Sequence, residues 1–294
     1  MSATTTTTTT SAAAPAAQAA PATHAKFGAP LRWEIRKLAS QWRARAVLLA
    51  AILIPIPVVL VIHAQPRAPK DTLFGRYSID NGFSLALLIL GFAGQWLLPL
   101  MTAIVAGDIF ASEDQHGTWK TVLTRSTSRR RIFWAKVITA SMFAVIMVLL
   151  VAASTVFFST TIVGQQPLFG VSGQTIAPPD AMRLVIESWL TTIAPTLGYT
   201  ALAIVLSVWS RNPAVGIAAP VVLGMLMQLI GTLAGVEALR PFLLSTPFEN
   251  WHGLMASPQF YGPLYQGLIA SAVWFVACLV IASSIIRNRD ITGG

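Results

Sequence analysis

Charge is what this chain has least of. Only 11% of its 294 residues are charged and 54% are hydrophobic, whereas a soluble domain carries about 25% charged residues. With a mean hydropathy of +0.66 and apolar residues gathered into long uncharged runs, this composition excludes a water-soluble fold. Cysteine is almost absent. The single Cys278 rules out an intrachain disulfide and any thiol cluster for metal. The four histidines, His24, His63, His116 and His252, are scattered without ligand spacing, so no metal site is expected. The phosphate-cradling pattern G-x-x-x-x-G-K-[ST] is missing, so the chain is not expected to hydrolyse ATP by itself. The net charge of +9 does not suggest nucleic acid, because the basic residues flank apolar segments and build no separate basic domain.

About 20 apolar residues cross the hydrocarbon core. Six such stretches are expected near 46–62, 83–107, 137–163, 188–210, 213–236 and 264–286, all without Asp, Glu, Lys or Arg. The fold class is therefore an all-α membrane protein. Pro55 and Pro57 should kink the first span, and only Arg211 and Asn212 separate the fourth from the fifth. If both termini are cytoplasmic, that side holds 15 Lys/Arg and the outside five, the bias expected of an inward-facing surface. Trp134, Trp189 and Trp209 lie near span ends, where interfacial anchoring is expected.

Outside the spans, residues 1–29 form a Thr/Ala/Pro-rich tail with too little apolar bulk to fold. Residues 30–45 read as an amphipathic helix at the membrane interface, with Leu31, Ile35 and Leu38 on one face and Arg32, Arg36, Lys37, Arg43 and Arg45 around it. The alternative is a cytoplasmic extension of the first span. Residues 237–263 are too polar and too interrupted to span, and read as short interfacial or re-entrant helices broken at Pro247 and Pro258. They serve either as a lid over the bundle or in gating. Residues 287–294 are a short cytoplasmic tail.

The stretch from Asp108 to Lys136 is the most distinctive. It holds six basic and three acidic residues between two apolar spans, which makes it a loop at the cytoplasmic membrane surface. Ser112 and Gln115 have capping-box spacing, and a helix start there would also favour Glu113 and Asp114. Trp119, Val122 and Leu123 follow at i, i+3 and i+4 as a narrow apolar ridge, with Lys120 and Arg125 beside it. Gly117 interrupts the helix or permits close approach. Arg129, Arg130, Arg131 and Lys136 read as membrane anchors at the start of the third span, with a specific protein contact as the alternative.

At these residues the chain resembles the membrane subunits of type-2 ABC exporters. The resemblance rests on Glu113, Gly117 and Thr118, then Leu123, the stretch Ser128–Arg131 and Lys136, together with the amphipathic first helix, the six spans and the broken element before the last. Many relatives have a proline where this chain reads Arg125–Ser126–Thr127, so the turn geometry there departs from the pattern. The resemblance implies a bacterial inner-membrane permease that binds no cofactor of its own. It also implies a cytoplasmic ATPase subunit carrying ATP and Mg, a second permease copy or sister permease, and contact with membrane lipid. Residues Ser112 to Arg125 would dock into that ATPase.

Gln95 and Gln228 are the amides deep inside spans and candidates for a substrate path, with interhelical hydrogen bonding as their structural alternative. The charge-free spans offer no ion relay, and such a path suits a drug, lipid or peptide of hydrophobic or amphipathic character. A non-transporting scaffold used in signalling or protein maturation is the competing function. A membrane-embedded enzyme is disfavoured for want of intramembrane acids and bases.

Overall fold

In the computed structural model, residues 28–69, 72–117 and 128–288 are described. The fold is helical, with six helices long and apolar enough to cross a membrane: Trp42–His63, Gly82–Gln115, Arg129–Ile162, Pro178–Ser210, Pro213–Thr232 and Gly262–Arg287. The chain is a multi-pass membrane protein. The second and fourth of these are largely buried and form the centre of the bundle, while the first, fifth and sixth leave most of their apolar surface uncovered.

Proline subdivides the spans. The first is α2 (Trp42–Leu53) and α3 (Pro55–His63), broken at Ile54 because Pro55 cannot donate into the preceding turn. Ser154 of the third span donates to the Ile52 carbonyl at 2.6 Å beside that break. The second span comprises α4 (Gly82–Phe92), a π turn over Ala93–Leu97, α5 (Leu98–Ala106) and α6 (Asp108–Gln115). The third is the uninterrupted α7 (Arg129–Ile162). The fourth comprises α8 (Pro178–Thr191) and α9 (Ile193–Ser210). The fifth is α10 (Pro213–Thr232) and the sixth α11 (Gly262–Arg287).

Side-chain hydrogen bonds set the register between these helices. Asn81 caps α4, accepting from the Phe83 and Ser84 amides, while its Nδ2 donates to the carbonyls of Gln166 and Pro167 beyond the third span. In the bundle centre Thr102 and Thr200 share a buried hydroxyl bond of 2.8 Å. Between α9 and α10 the chain turns on Arg211, which is left-handed at φ 55, and Asn212 accepts from the Ala214 amide as the cap of α10. Where α5 ends, Gly107 and Gly216 let two backbones meet; a Cβ on Gly107 would lie 2.2 Å from the Gly216 carbonyl oxygen.

Several expectations need correcting. The amino-terminal helix α1 covers Gly28–Ser40, not 30–45, because Gln41 is extended (ψ 129) and Trp42 already begins the first span. Its buried face is Glu34 and Leu38, while Ile35, expected on the apolar face, is exposed. The fourth span starts ten residues before Ser188. Pro178 opens it, and Asp180, Arg183 and Glu187 lie along a helix whose buried stripe is Ala181, Leu184, Val185 and Ser188. Arg183 and Glu187 pair across one turn at 3.6 Å. Trp189, expected as an interfacial anchor, is buried. The fifth span ends at Thr232, short of Val236. In the 237–263 region Pro247 does not break an element. It lies in the first turn of a 3-10 segment, Thr246–Met255, which follows a shorter one at Arg240–Phe242. The longer segment buries Phe248, Trp251, Leu254 and Met255 against the bundle.

Candidate functional site

Six charged residues gather where α1, α2, α6 and α7 meet. Three are acids (Glu34, Asp108, Glu113) and three are bases (Lys37, Arg43, Lys136), so the group is formally neutral. Lys136 is its centre. None of its side chain is exposed, and its Nζ donates to Glu113 Oε1 at 2.7 Å, Glu34 Oε2 at 3.1 Å and the Ile109 carbonyl at 3.1 Å. Phe110 presents its ring 5.6 Å from the ammonium and packs on Phe133. Glu113 also accepts from Lys37 of α1, and Arg43 of α2 pairs with Asp108 at 3.0 Å. A buried ammonium is tolerable only when its donors are all satisfied, and its three acceptors here meet that need.

Local structure explains how these groups come together. Gly107 keeps right-handed angles (φ −69, ψ −25), so the second span runs on into α6 with little interruption. The Ala111 amide donates to Ser207 Oγ of α9 at 3.0 Å, which holds α6 against the bundle. The helix ends at His116 and at Gly117, whose φ of 63 is left-handed, the usual way for glycine to stop a helix. The capping-box reading of Ser112 is therefore wrong. Ser112 lies inside α6, its Oγ donating to the Asp108 carbonyl at 2.7 Å, because no break separates it from the apolar span before it.

Of the residues expected to contact an ATPase, Ser112, Glu113, Asp114 and Gly117 stand at this helix end. Glu113 is buried, whereas Gly117 is exposed, and a Cβ added to it would meet nothing within 4 Å. Thr118, Trp119, Val122, Leu123 and Arg125 lie outside the described residues. Beside α6 a cleft of about 390 Å³ is lined by Lys37, Trp42, Arg43, Asp108, His116 and Pro213.

The expected membrane anchors divide. Arg129, Arg130 and Arg131 occupy the first turn of α7. With Trp134 and Arg287, Arg129 and Arg130 line a separate cleft of about 400 Å³. Lys136 is no headgroup anchor; it points inward to the two glutamates. The sequence reading missed Glu34, Lys37, Arg43 and Asp108 as members of this cluster. The one available signal was Glu34, a lone acid in an otherwise basic helix.

The two intramembrane amides are not brought into one site. Gln228 is half-buried on α10, and its side chain makes no hydrogen bond with the described residues. Gln95 lies in the π turn and donates to Glu249 of the 3-10 segment. The surroundings of Gln95 are thus not charge-free: the acid arrives from outside the spans.

The fold and this site define a multi-pass membrane protein with a braced, charged end. Residues 77–292 match the family described as "Protein of unknown function (DUF2705)", and the chain belongs to that family. It is similar to "Uncharacterized protein YhcI" of Bacillus subtilis (strain 168), at 24% identity over 231 residues, covering 72% of this chain and 71% of the relative.

Proposed function

We propose that this chain is the permease subunit of an ATP-driven exporter of the type-2 ABC class, seated in a bacterial inner membrane with both termini cytoplasmic. In this reading α1 lies at the cytoplasmic interface, exposing Trp33 and, with the start of α2, Trp42 to lipid. A separate ATPase subunit supplies ATP and Mg, and a second permease completes the translocation path. The substrate is hydrophobic or amphipathic.

The observation that carries the proposal is the Lys136 cluster. A soluble motor can drive a membrane bundle only through a part that does not yield at the surface. Here the end of α6 is joined to the long helix α7 by the buried Lys136–Glu113 pair and to the surface helix α1 by the half-buried Lys37–Glu113 pair. Lys136 also pairs with Glu34 of α1. Force applied beyond Gly117 would pass into both at once, as a rigid lever requires.

Purification from the native host in mild detergent tests it. An ABC-type ATPase should copurify, and its hydrolysis in the reconstituted complex should rise with transported substrate. Absence of any ATPase overturns the proposal. An ATPase indifferent to every substrate supports the scaffold alternative.

A further inference from the structure

Pro99 has no N–H for the Gln95 carbonyl, and its ring crowds that carbonyl. The helix widens there into the π turn over Ala93–Leu97, and such turns recur at functional sites. At 1.5 Å per residue, about 20 Å of helix separates Gln95 from Gly82 where the span begins. Glu249 reaches this depth from the Thr246–Met255 segment, its Oε1 accepting from Gln95 Nε2. Gly94 permits the approach, since a Cβ there would lie 3.0 Å from the Phe248 ring.

The acid retains 38% of its side-chain exposure, and the His252 imidazole lies 3.6 Å from it on the same segment. No described Lys or Arg pairs with it. An acid at membrane depth must face a cavity, because lipid solvates it poorly. The cavity is present, about 180 Å³ in volume and lined by Phe74, Leu88, Gly91, Gln95, Glu249 and Trp251. Phe92, exposed, supplies an open aromatic ring to its wall. Behind the lining Trp251 stacks on His252 at 3.9 Å, and Phe74 lies 5.5 Å from Trp251, with Phe74 and Trp251 both buried. One carboxylate beside an open aromatic ring in a partly apolar hollow matches the chemistry of an alkylated ammonium ion.

We propose that this hollow binds the cationic head of an amphipathic alkylammonium compound, with Glu249 as the counter-charge, Gln95 orienting the carboxylate, and Phe92 against the methyl groups. Its role as the place where cargo is held rests on the exporter reading; binding itself needs no ATPase.

The test uses the full chain in nanodiscs without any ATPase, titrated calorimetrically with benzyltrimethylammonium and with neopentylbenzene, its uncharged isostere. Empty discs are the blank. The cation should bind saturably and at least tenfold more tightly than the isostere. Glu249→Gln should weaken it at least tenfold. Gly91→Leu, which places a side chain where nothing lies within 4 Å of the Cβ, should block binding while leaving the thermal unfolding midpoint near that of the unaltered chain. No binding above the blank overturns the proposal. So does equal binding of the isostere, or a folded Glu249→Gln or Gly91→Leu protein that binds as the unaltered chain does. Failure to find an ATPase leaves these results untouched.

Discussion

Lys136 Nζ lies 2.7 Å from Glu113 Oε1 with none of the lysine side chain exposed, so the two charges are committed to each other inside the protein. Removing one member of such a pair costs about 3–5 kcal/mol, because the charge left behind is buried and uncompensated. Lys136→Met should therefore lower the thermal unfolding midpoint in detergent sharply. Adding Glu34→Gln and Glu113→Gln to it should recover much of the loss. A Lys136→Met protein as stable as the unaltered chain would refute the arrangement.

Gly107 and Gly216 should not tolerate a methyl group. A Cβ on Gly107 would lie 2.2 Å from the carbonyl oxygen of Gly216, and one on Gly216 would lie 2.3 Å from that of Gly107. Overpacking of this kind costs about 1–3 kcal/mol. Gly107→Ala and Gly216→Ala should each be destabilised in a detergent melt. Gly91→Ala is the control; in open space on the same span it should be neutral or slightly stabilising.

Two asparagine caps should differ in weight. Loss of a capping side chain costs about 1 kcal/mol, which is the effect expected of Asn212→Ala. Asn81 also donates to two carbonyls past the third span, so Asn81→Ala should cost roughly twice as much. Equal melting shifts for the two would contradict this.

Orientation is open to direct labelling. In a Cys278→Ser background, a cysteine replacing exposed His116 should react with a membrane-impermeant maleimide only after the membrane is opened from the cytoplasmic side. One replacing exposed Ser172 should react from outside in intact cells. Reaction of both from the same face would refute the proposed topology.

Gly117 bears on coupling. Its φ of 63 suits glycine, and a β-branched residue there is strained. Gly117→Val should redirect the chain leaving α6 and lower substrate-stimulated ATPase activity severalfold, with membrane insertion intact. Unchanged stimulation would sink the lever assignment.

The six spans were legible because each contains an uncharged apolar run long enough to cross hydrocarbon. Residues Pro178 to Glu187 escaped that reading, since their helix alternates a buried stripe with exposed charges and its mean hydropathy is moderate. Ser112 was misread for a related reason. Polarity marked the loop well, but polarity does not end a helix, and nothing before His116 does so. The site was least legible. Lys136 meets Glu34 across 102 residues and Glu113 across 23, separations at which spacing carries no information. Glu249 shows the same limit, since spans free of charge in sequence can still enclose a charge supplied by another segment.

The two-residue turn at Arg211 and Asn212 also has a mechanical meaning. A residue of chain reaches at most about 3.6 Å, so the ends of α9 and α10, three steps apart at that turn, can lie no more than about 11 Å from each other. That is close to the spacing of about 8–10 Å between packed helices. The Gly107–Gly216 contact grips α10 close to the same end. Any widening beside α10 must therefore pivot there, like a pair of shears, and grow toward the end where Thr232 gives way to the 233–239 segment.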